Sequence, residues 1–274
     1  MLIQSSSCEP YVKRNKNDAR DAEAGCEAMS RPTMSFVPMK SAEEQAGLML
    51  LGTRERLINT RTQLSNAIRG HAAEFGVIAA RGLDKIEPLL ARIAADESLP
   101  DLARALFALL GAEYAQLQVR IERAETELAA WRRTHAASRR LAKVPSIGPV
   151  GSAMLVMKTP DPAAFKSGRQ FAAWVGLTPK GHSTAGRQRL GVISRAGDEA
   201  LRSTLVVGAT AVIRQVRAGR AEPSPWLARL LARKPPKLAA VALANKVARI
   251  AWKMMLTGED YDPNRLLRPV MQQV

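Results

Sequence analysis

Leu141-Ala-Lys-Val-Pro-Ser-Ile-Gly-Pro-Val-Gly-Ser-Ala-Met-Leu155 is the stretch on which the fold turns. A helix entering from the N-terminal side should stop near Lys143, because a proline removes a backbone donor and restricts the residue before it. Pro145 to Pro149 then predicts a tight turn, with Gly148 supplying a positive φ. Pro149 suits the first position of a new helix. Two helices joined in this way resemble a helix-hairpin-helix element, although such hairpins usually carry glycine where Ser146 stands here. The main-chain amides of the turn and the positive end of the second helix can hold a phosphate without reading base sequence. Ile147, Gly148, Val150 and Gly151 are therefore candidate nucleic-acid-binding residues. The alternative is an ordinary corner between two core helices.

Upstream of this turn the pattern is helical over a long distance. Ser41 and Glu44 form a capping box, the signature of a helix start. Leu50, Leu57, Leu64, Ile68 and Phe75 follow at steps of 7, 7, 4 and 7, which keeps them on one stripe. Gly76 and Gly82 interrupt it. A second helix is predicted from Pro100-Asp101, with Leu106, Leu110, Leu117, Ile121 and Leu128 spaced as a coiled-coil seam. The two helices read as a long antiparallel coiled-coil arm, or equally as two helices of a globular bundle. Farther upstream, a short helix is expected from Ala19 to Met29. Asp18 and Asp21 share a face of it, a pair that could hold Mg²⁺ but is more often a solvated helix surface.

Downstream, glycine and proline rise and cations cluster. Residues 180–197 hold Lys180, Arg187, Arg189 and Arg195 and no carboxylate. Within them Gly181-His-Ser-Thr-Ala-Gly-Arg-Gln-Arg-Leu-Gly191 is a basic loop bearing hydroxyls. A serine beside arginines could attack a phosphodiester, though Ser and Thr in loops are usually turn formers. An amphipathic helix is predicted from about Leu238 to Leu256, followed by a polar tail from Gly258.

The 274 residues suggest two domains, and 46% hydrophobic content suffices for a core. Lys and Arg number 41 against 25 Asp and Glu, a net charge of +16 that favours a polyanionic partner. Cys8 and Cys26 are far apart, and His71, His135 and His182 are scattered, so neither a disulfide framework nor a zinc site is supported. No apolar run approaches a membrane span, and the first residues do not read as a signal peptide. A cytoplasmic setting fits. Few aromatics argue against a single-strand-binding barrel.

Several long runs carry a resemblance. They are Pro10-Tyr-Val-Lys-Arg-Asn-Lys-Asn-Asp-Ala-Arg-Asp-Ala-Glu-Ala24, Phe36-Val-Pro-Met-Lys-Ser41, and Arg61-Thr-Gln-Leu-Ser-Asn-Ala-Ile-Arg-Gly-His71. The others are Ser167-Gly-Arg-Gln-Phe-Ala-Ala-Trp-Val-Gly-Leu-Thr-Pro179, Leu190-Gly-Val-Ile-Ser-Arg-Ala-Gly-Asp198 and Val241-Ala-Leu-Ala-Asn-Lys-Val-Ala-Arg-Ile-Ala-Trp252. Across roughly residues 9–262 the chain resembles the DEDD insertion-sequence transposases of the IS110 family, in its IS1111 branch.

That resemblance implies a mainly α chain in three parts. A remnant of a RuvC-like α/β domain occupies 1–40, a coiled-coil arm 41–135, and a compact helical transposase domain 136–274. It implies a recombinase that exchanges DNA strands through a serine nucleophile and a RuvC-like Mg²⁺ site, guided by a structured bridge RNA. Ser183 is the expected nucleophile, with Thr184 its rival in a gapless reading of the loop. Asp18 and Asp21 match the last two acids of the D-E-D-D set and would be both catalytic and metal-binding. The first two acids would lie upstream of Met1, so a truncated, impaired copy is expected. Homo-oligomerisation through the arm and a nucleoid-associated bacterial setting complete the implication. The alternative is a non-catalytic helix-hairpin-helix DNA-binding module that dimerises through its arm.

Overall fold

A computed structural model describes residues 11–12, 17–32, 39–181 and 190–262. The chain divides into two compact units, one of residues 46–136 and one combining 1–45 with 137–274. The described residues are mostly helical.

In the first unit, α2 (Ala42–Glu74) and α4 (Asp101–Thr134) are long helices, with α3 (Ile86–Ala94) between them in sequence. The entry to α2 carries the predicted box. The N–H of Ser41 donates to Glu44 Oε2 at 2.7 Å, and the N–H of Glu44 donates to Ser41 Oγ at 3.1 Å. Cross-links between the long helices fix their direction. Arg54 meets Glu125 at 2.7 Å, Arg61 donates to Gln118 at 2.7 Å, and the rings of Phe75 and Phe107 meet edge-on at 6.3 Å. One partner's number rises as the other's falls, so the pair is antiparallel.

Leu57, Leu64 and Ile68 are buried in one apolar cluster with Phe107, Tyr114, Leu117 and Ile121. The seam on α4 differs from the predicted one at a single position. Stepping back from Leu117 by alternating threes and fours reaches Tyr114, Leu110, Phe107 and Ala103. Phe107 and Ala103 are buried while Leu106 is 52% exposed, because it lies one residue off the stripe. The sequence reading also missed α3, which carries Pro88 near its start. Pro88 falls in the first turn, where its absent N–H has no intrahelical role, and Ile86, Leu89 and Ile93 are buried.

In the second unit, α1 (Asp18–Met29) begins at Asn17, whose side chain accepts the N–H of Arg20 at 2.9 Å. The remaining elements run α5 (Ala136–Leu141), α6 (Pro149–Lys158), α7 (Gly168–Trp174), β1 (Pro179–Gly181), β2 (Leu190–Ile193), α8 (Glu199–Arg217), α9 (Pro225–Leu231) and α10 (Pro236–Thr257). The centre is α8 packed on α10, with α7 and α9 also against α10 and α6 against α8. The buried face of α10 includes Ala239, Ala240, Ala244, Ala248 and Ala251, small side chains that let neighbouring helices approach closely. α10 ends at Gly258, whose left-handed φ of 69° lets its N–H close on Met254 O at 2.9 Å.

The only sheet among the described residues pairs β1 with β2 antiparallel, Pro179 opposite Ile193 and Gly181 opposite Leu190. Any sheet was expected in the first 40 residues. It lies instead in the two segments that flank residues 182–189 in sequence. No helix among the described residues is long and apolar enough to cross a membrane.

Candidate nucleic-acid interface

The 141–155 stretch folds as two helices joined by a turn, and its details depart from the sequence reading. Gly148 has φ −77° and ψ 178°, and it is Ser146 that takes the positive φ, +81°. Pro149 explains the difference, since the residue before a proline is pushed to extended backbone. The left-handed kink therefore falls two residues earlier. Ile147 is 4% exposed, so only its main chain could serve a ligand. Gly148 and Pro149 are exposed, Val150 is half-buried and Gly151 is buried. The first intrahelical bond of α6 runs from the N–H of Ser152 to Gly148 O at 2.9 Å. The amides of Val150 and Gly151 precede it, at the positive end of the helix.

Two features hold the turn that the sequence reading did not single out. Ser138 of α5 donates to Ser152 of α6 at 3.0 Å, both fully buried, and Ser152 Oγ donates back to Pro149 O at 2.9 Å. On the other side, α8 presses its backbone onto the kink. A Cβ on Gly208 would lie 1.9 Å from the carbonyl oxygen of Ser146. A glycine in mid-helix costs stability, and here it is what admits the turn.

The basic loop springs from a second construction. Gly176 and Gly197 both have φ +81°. A Cβ on Gly176 would meet Ala196 O at 2.0 Å, and one on Gly197 would meet Trp174 O at 1.9 Å. The segments before β1 and after β2 thus cross at backbone contact. Between them lies Arg202, 9% exposed, with Nη1 donating to Val175 O at 3.3 Å and to Ala196 O at 3.1 Å. Its charge sits at the C-terminal end of α7, where a helix favours a cation. Asp198 completes the anchor. Its Oδ1 accepts the N–H of Leu201 at 2.7 Å, starting α8, and its Oδ2 takes Lys158 Nζ of α6 at 2.7 Å. α10 contributes Asn245, which donates to Leu177 O at 3.2 Å.

Lys180 and Arg195 stand exposed at this root. Arg195 has φ +57°, and its N–H reaches Gly176 O at 3.3 Å. It and Ser146 are the only non-glycine residues of positive φ among the described residues, and both fall in the candidate site. Such strain tends to collect where geometry serves function. Ser183, Thr184, Arg187 and Arg189 lie outside the described residues.

Residues 138–222, which contain both constructions, match the description Transposase IS116/IS110/IS902 family. A Sinorhizobium fredii protein provisionally named transposase y4pF/y4sB is 64% identical over 261 residues, 95% of this chain and 67% of its own length. The transposase for insertion sequence element IS1111A of Coxiella burnetii is 37% identical over 266 residues, 95% of this chain and 72% of its own. The chain belongs to the IS116/IS110/IS902 transposase family. The transposase for IS1328 of Yersinia enterocolitica is 35% identical over 257 residues, 94% of this chain and 77% of its own. Within this transposase the family-matched segment begins at Ser138 and takes in Ser146, Gly176, Gly197, Asp198, Arg202 and Gly208. Of the side chains and glycines that position the loop root, Asn245 alone among those named lies outside it.

Asp18 and Asp21 are exposed in the first turn of α1, where carboxylates complement the helix dipole. Among the described residues no three His, Cys, Asp or Glu side chains gather into a group that could hold a metal ion. Two exposed carboxylates fall short of the donor set that two-metal phosphoryl transfer uses.

Proposed function

We propose that this transposase exchanges DNA strands for an insertion sequence. In this reading it grips sugar-phosphate backbone at the 145–151 turn and uses the 182–189 loop as its reacting edge. One observation carries the reading: the root of that loop is built to a tolerance no ordinary solvent loop needs. Two glycine crossings and a buried, carbonyl-bound Arg202 fix both strands of the hairpin to the same core that holds the turn. Fixed geometry is what an in-line attack on phosphorus requires.

The chemistry is a pair of transesterifications. The Ser183 hydroxyl, or that of Thr184, attacks a phosphodiester and gives up its proton. A bond forms between that oxygen and phosphorus as the bond to the leaving sugar oxygen breaks, and the leaving oxygen takes a proton to become a hydroxyl. A sugar hydroxyl of another strand then reverses the step and frees the serine, so no outside energy source is needed. Arg187 and Arg189, with Lys180 and Arg195 at the root, would offset charge gathering on the reacting phosphate. A structured bridge RNA is the expected guide. The arm is the expected site of homo-oligomerisation. Asp18 and Asp21 would be the chain's contribution to a Mg²⁺ site.

The test is an SDS-stable protein–DNA adduct on DNA carrying the flanks of the chain's own gene, supplied with RNA transcribed from those flanks. Wild type should form the adduct, Ser183→Ala should abolish it, and Thr184→Ala should not. The reverse pattern moves the nucleophile to Thr184, and an adduct that survives both variants removes hydroxyl chemistry from the loop. A second reading, a non-catalytic binding module, draws on the cationic surplus of the chain and the phosphate-binding turn, which need no reacting hydroxyl. It predicts no adduct, but binding that weakens steeply with salt.

A further inference from the structure

Outside the hairpin and the loop root, the second unit holds a cleft of about 180 Å³ between α8, α9 and α10, and the 141–155 turn forms part of its wall. Val144 and Pro145 supply that wall, two and one residues from the strained Ser146. Apolar side chains of α10 line the opposite side, among them Leu243. The polar lining is sparse and mixed. Lys246 extends into the cleft with its Nζ 4.3 Å from the centroid of the Trp226 ring, which also lines it. Glu222 and Tyr261 stand at the same cleft. Among the described residues no ion pair joins Lys246 to Glu222, so the ammonium has an aromatic face and no carboxylate. Burial holds its pKa below the ordinary lysine value, and Arg249 adds to the effect.

The surroundings constrain the occupant. Glu222 is the only carboxylate in the sequence between Glu199 and Glu259, while Glu259, Asp260 and Asp262 flank the lining residue Tyr261, so the charge around the cleft is mixed. A purely apolar guest would leave the Lys246 ammonium without an acceptor, which is costly for a half-buried charge. An anionic guest would be repelled by Glu222. A heteroaromatic ring whose edge both accepts and donates fits the lining. It accepts from Lys246 and donates to Glu222 while Trp226 and the aliphatic wall take its face. Its place beside the turn gives it a backbone to hang from.

We propose that this cleft takes one unstacked nucleobase of a nucleic-acid strand whose phosphate sits on the 145–151 turn. The proposal rests on the phosphate-binding reading given above and adds to it a seat for a base. The binding is sequence-tolerant in its stacking part and favours bases bearing both a ring acceptor and an amino group. DNA and RNA share this chemistry, and the experiment separates them.

Short single-stranded DNA and RNA oligonucleotides are each compared with matched strands in which one nucleotide, moved along the strand, lacks its base. The intact strand should bind wild type about tenfold tighter than the abasic strand at the best position, the contribution of one stacked base. Trp226→Ala should bring that ratio close to one, and Lys246→Ala should lower it, each ratio being taken against the abasic strand on the same variant. Trp226→Phe, which keeps a ring, should retain most of the wild-type ratio. Thermal melts of the variants exclude unfolding as the cause. A ratio near one in wild type, or an undiminished ratio in folded Trp226→Ala, overturns the proposal while the phosphate reading stands. If neither strand binds at low ionic strength, the phosphate reading falls and takes this one with it. Whichever of DNA or RNA shows the larger ratio is the strand whose base is seated.

Discussion

The two units of the chain are held together by different means. The 46–136 unit is an apolar seam in which Leu57, Leu64, Ile68, Phe107, Tyr114, Leu117 and Ile121 interdigitate. Its polar cross-links lie at the edge. Three glycines of its long helices are loosely placed: a Cβ at Gly52 or Gly70 would meet nothing within 4 Å, and one at Gly111 would touch only the flexible end of Leu90 at 3.3 Å. The tight position is Gly82 in the connection, at φ +135°, where a Cβ would meet the side chain of Asp84 and no backbone. The other unit has an apolar core too, but its decisive contacts are backbone against backbone. Gly176, Gly197 and Gly208 admit carbonyl oxygens where a side chain would lie 2.0, 1.9 and 1.9 Å away. The first construction tolerates small changes of shape, while the second fixes atoms.

The largest effect expected from this contrast is at Gly197. Alanine there must adopt φ +81° and displace the Trp174 carbonyl. Gly197→Ala should cost about 3 kcal/mol or more, read as a lower urea midpoint. A loss below about 1 kcal/mol would mean that the crossing relaxes freely, and the contrast between the units would fail.

Arg202→Met comes next. It keeps most of the side-chain volume but leaves the carbonyls of Val175 and Ala196 without their donor. A stability loss of about 2 kcal/mol is expected. The sharper readout is the adduct assay. Adduct yield should fall even at temperatures where the variant is fully folded, because the loop root has lost its tie. Unchanged yield in folded protein would make Arg202 a structural residue only.

How much of this was legible in the sequence follows the same division. The two long helices of the 46–136 unit could be read from periodicity, since burial of a long helix is written as a stripe. The capping box at Ser41 and Glu44 formed as expected. The slip at Leu106 came from counting leucines and overlooking Phe107 and Ala103 as members of the seam. In the other unit, helix positions were readable from proline and glycine, so Pro149 and Gly258 stand at the ends expected of them. What could not be read is which backbones meet. Gly208 sits in a helical pattern and faces Ser146, which is distant in sequence. Arg202 looks like one more surface cation in a basic chain. Asp198, ahead of Glu199 and a hydrophobic run, did carry a helix-start signal, and it was the one thread leading to the loop root. The positive φ was assigned to Gly148 because glycine tolerates it. The constraint from Pro149 overrode that preference, and Ser146 took the strain.

Two smaller effects test the arm from the tolerant side. Gly52 is exposed on α2 with open space about it. Gly52→Ala should therefore stabilise the unit by about 0.5–1 kcal/mol, through helix propensity and a less flexible unfolded chain. The same substitution thus changes sign between the two units, and a melt of Gly52→Ala beside Gly197→Ala shows it directly.

The smallest effect is expected at the Arg54–Glu125 pair, and it decides what sets the arm's register. The ions are 2.7 Å apart, with side chains 20% and 48% exposed. Solvent screens a pair so placed, and two long side chains must be ordered to make it. Glu125→Gln should therefore cost no more than about 0.5 kcal/mol at low salt, and less at high salt. If the loss instead exceeded about 1.5 kcal/mol, well beyond what exposed pairs supply, the polar cross-links would be holding the two long helices in register. The arm would then resemble the loop root in being set by specific partners. With a small loss, the antiparallel alignment belongs to the alternation of Ala103, Phe107, Tyr114, Leu117, Ile121 and Ala124 along α4. Hydrophobic burial of that kind fixes which faces meet and leaves single contacts replaceable.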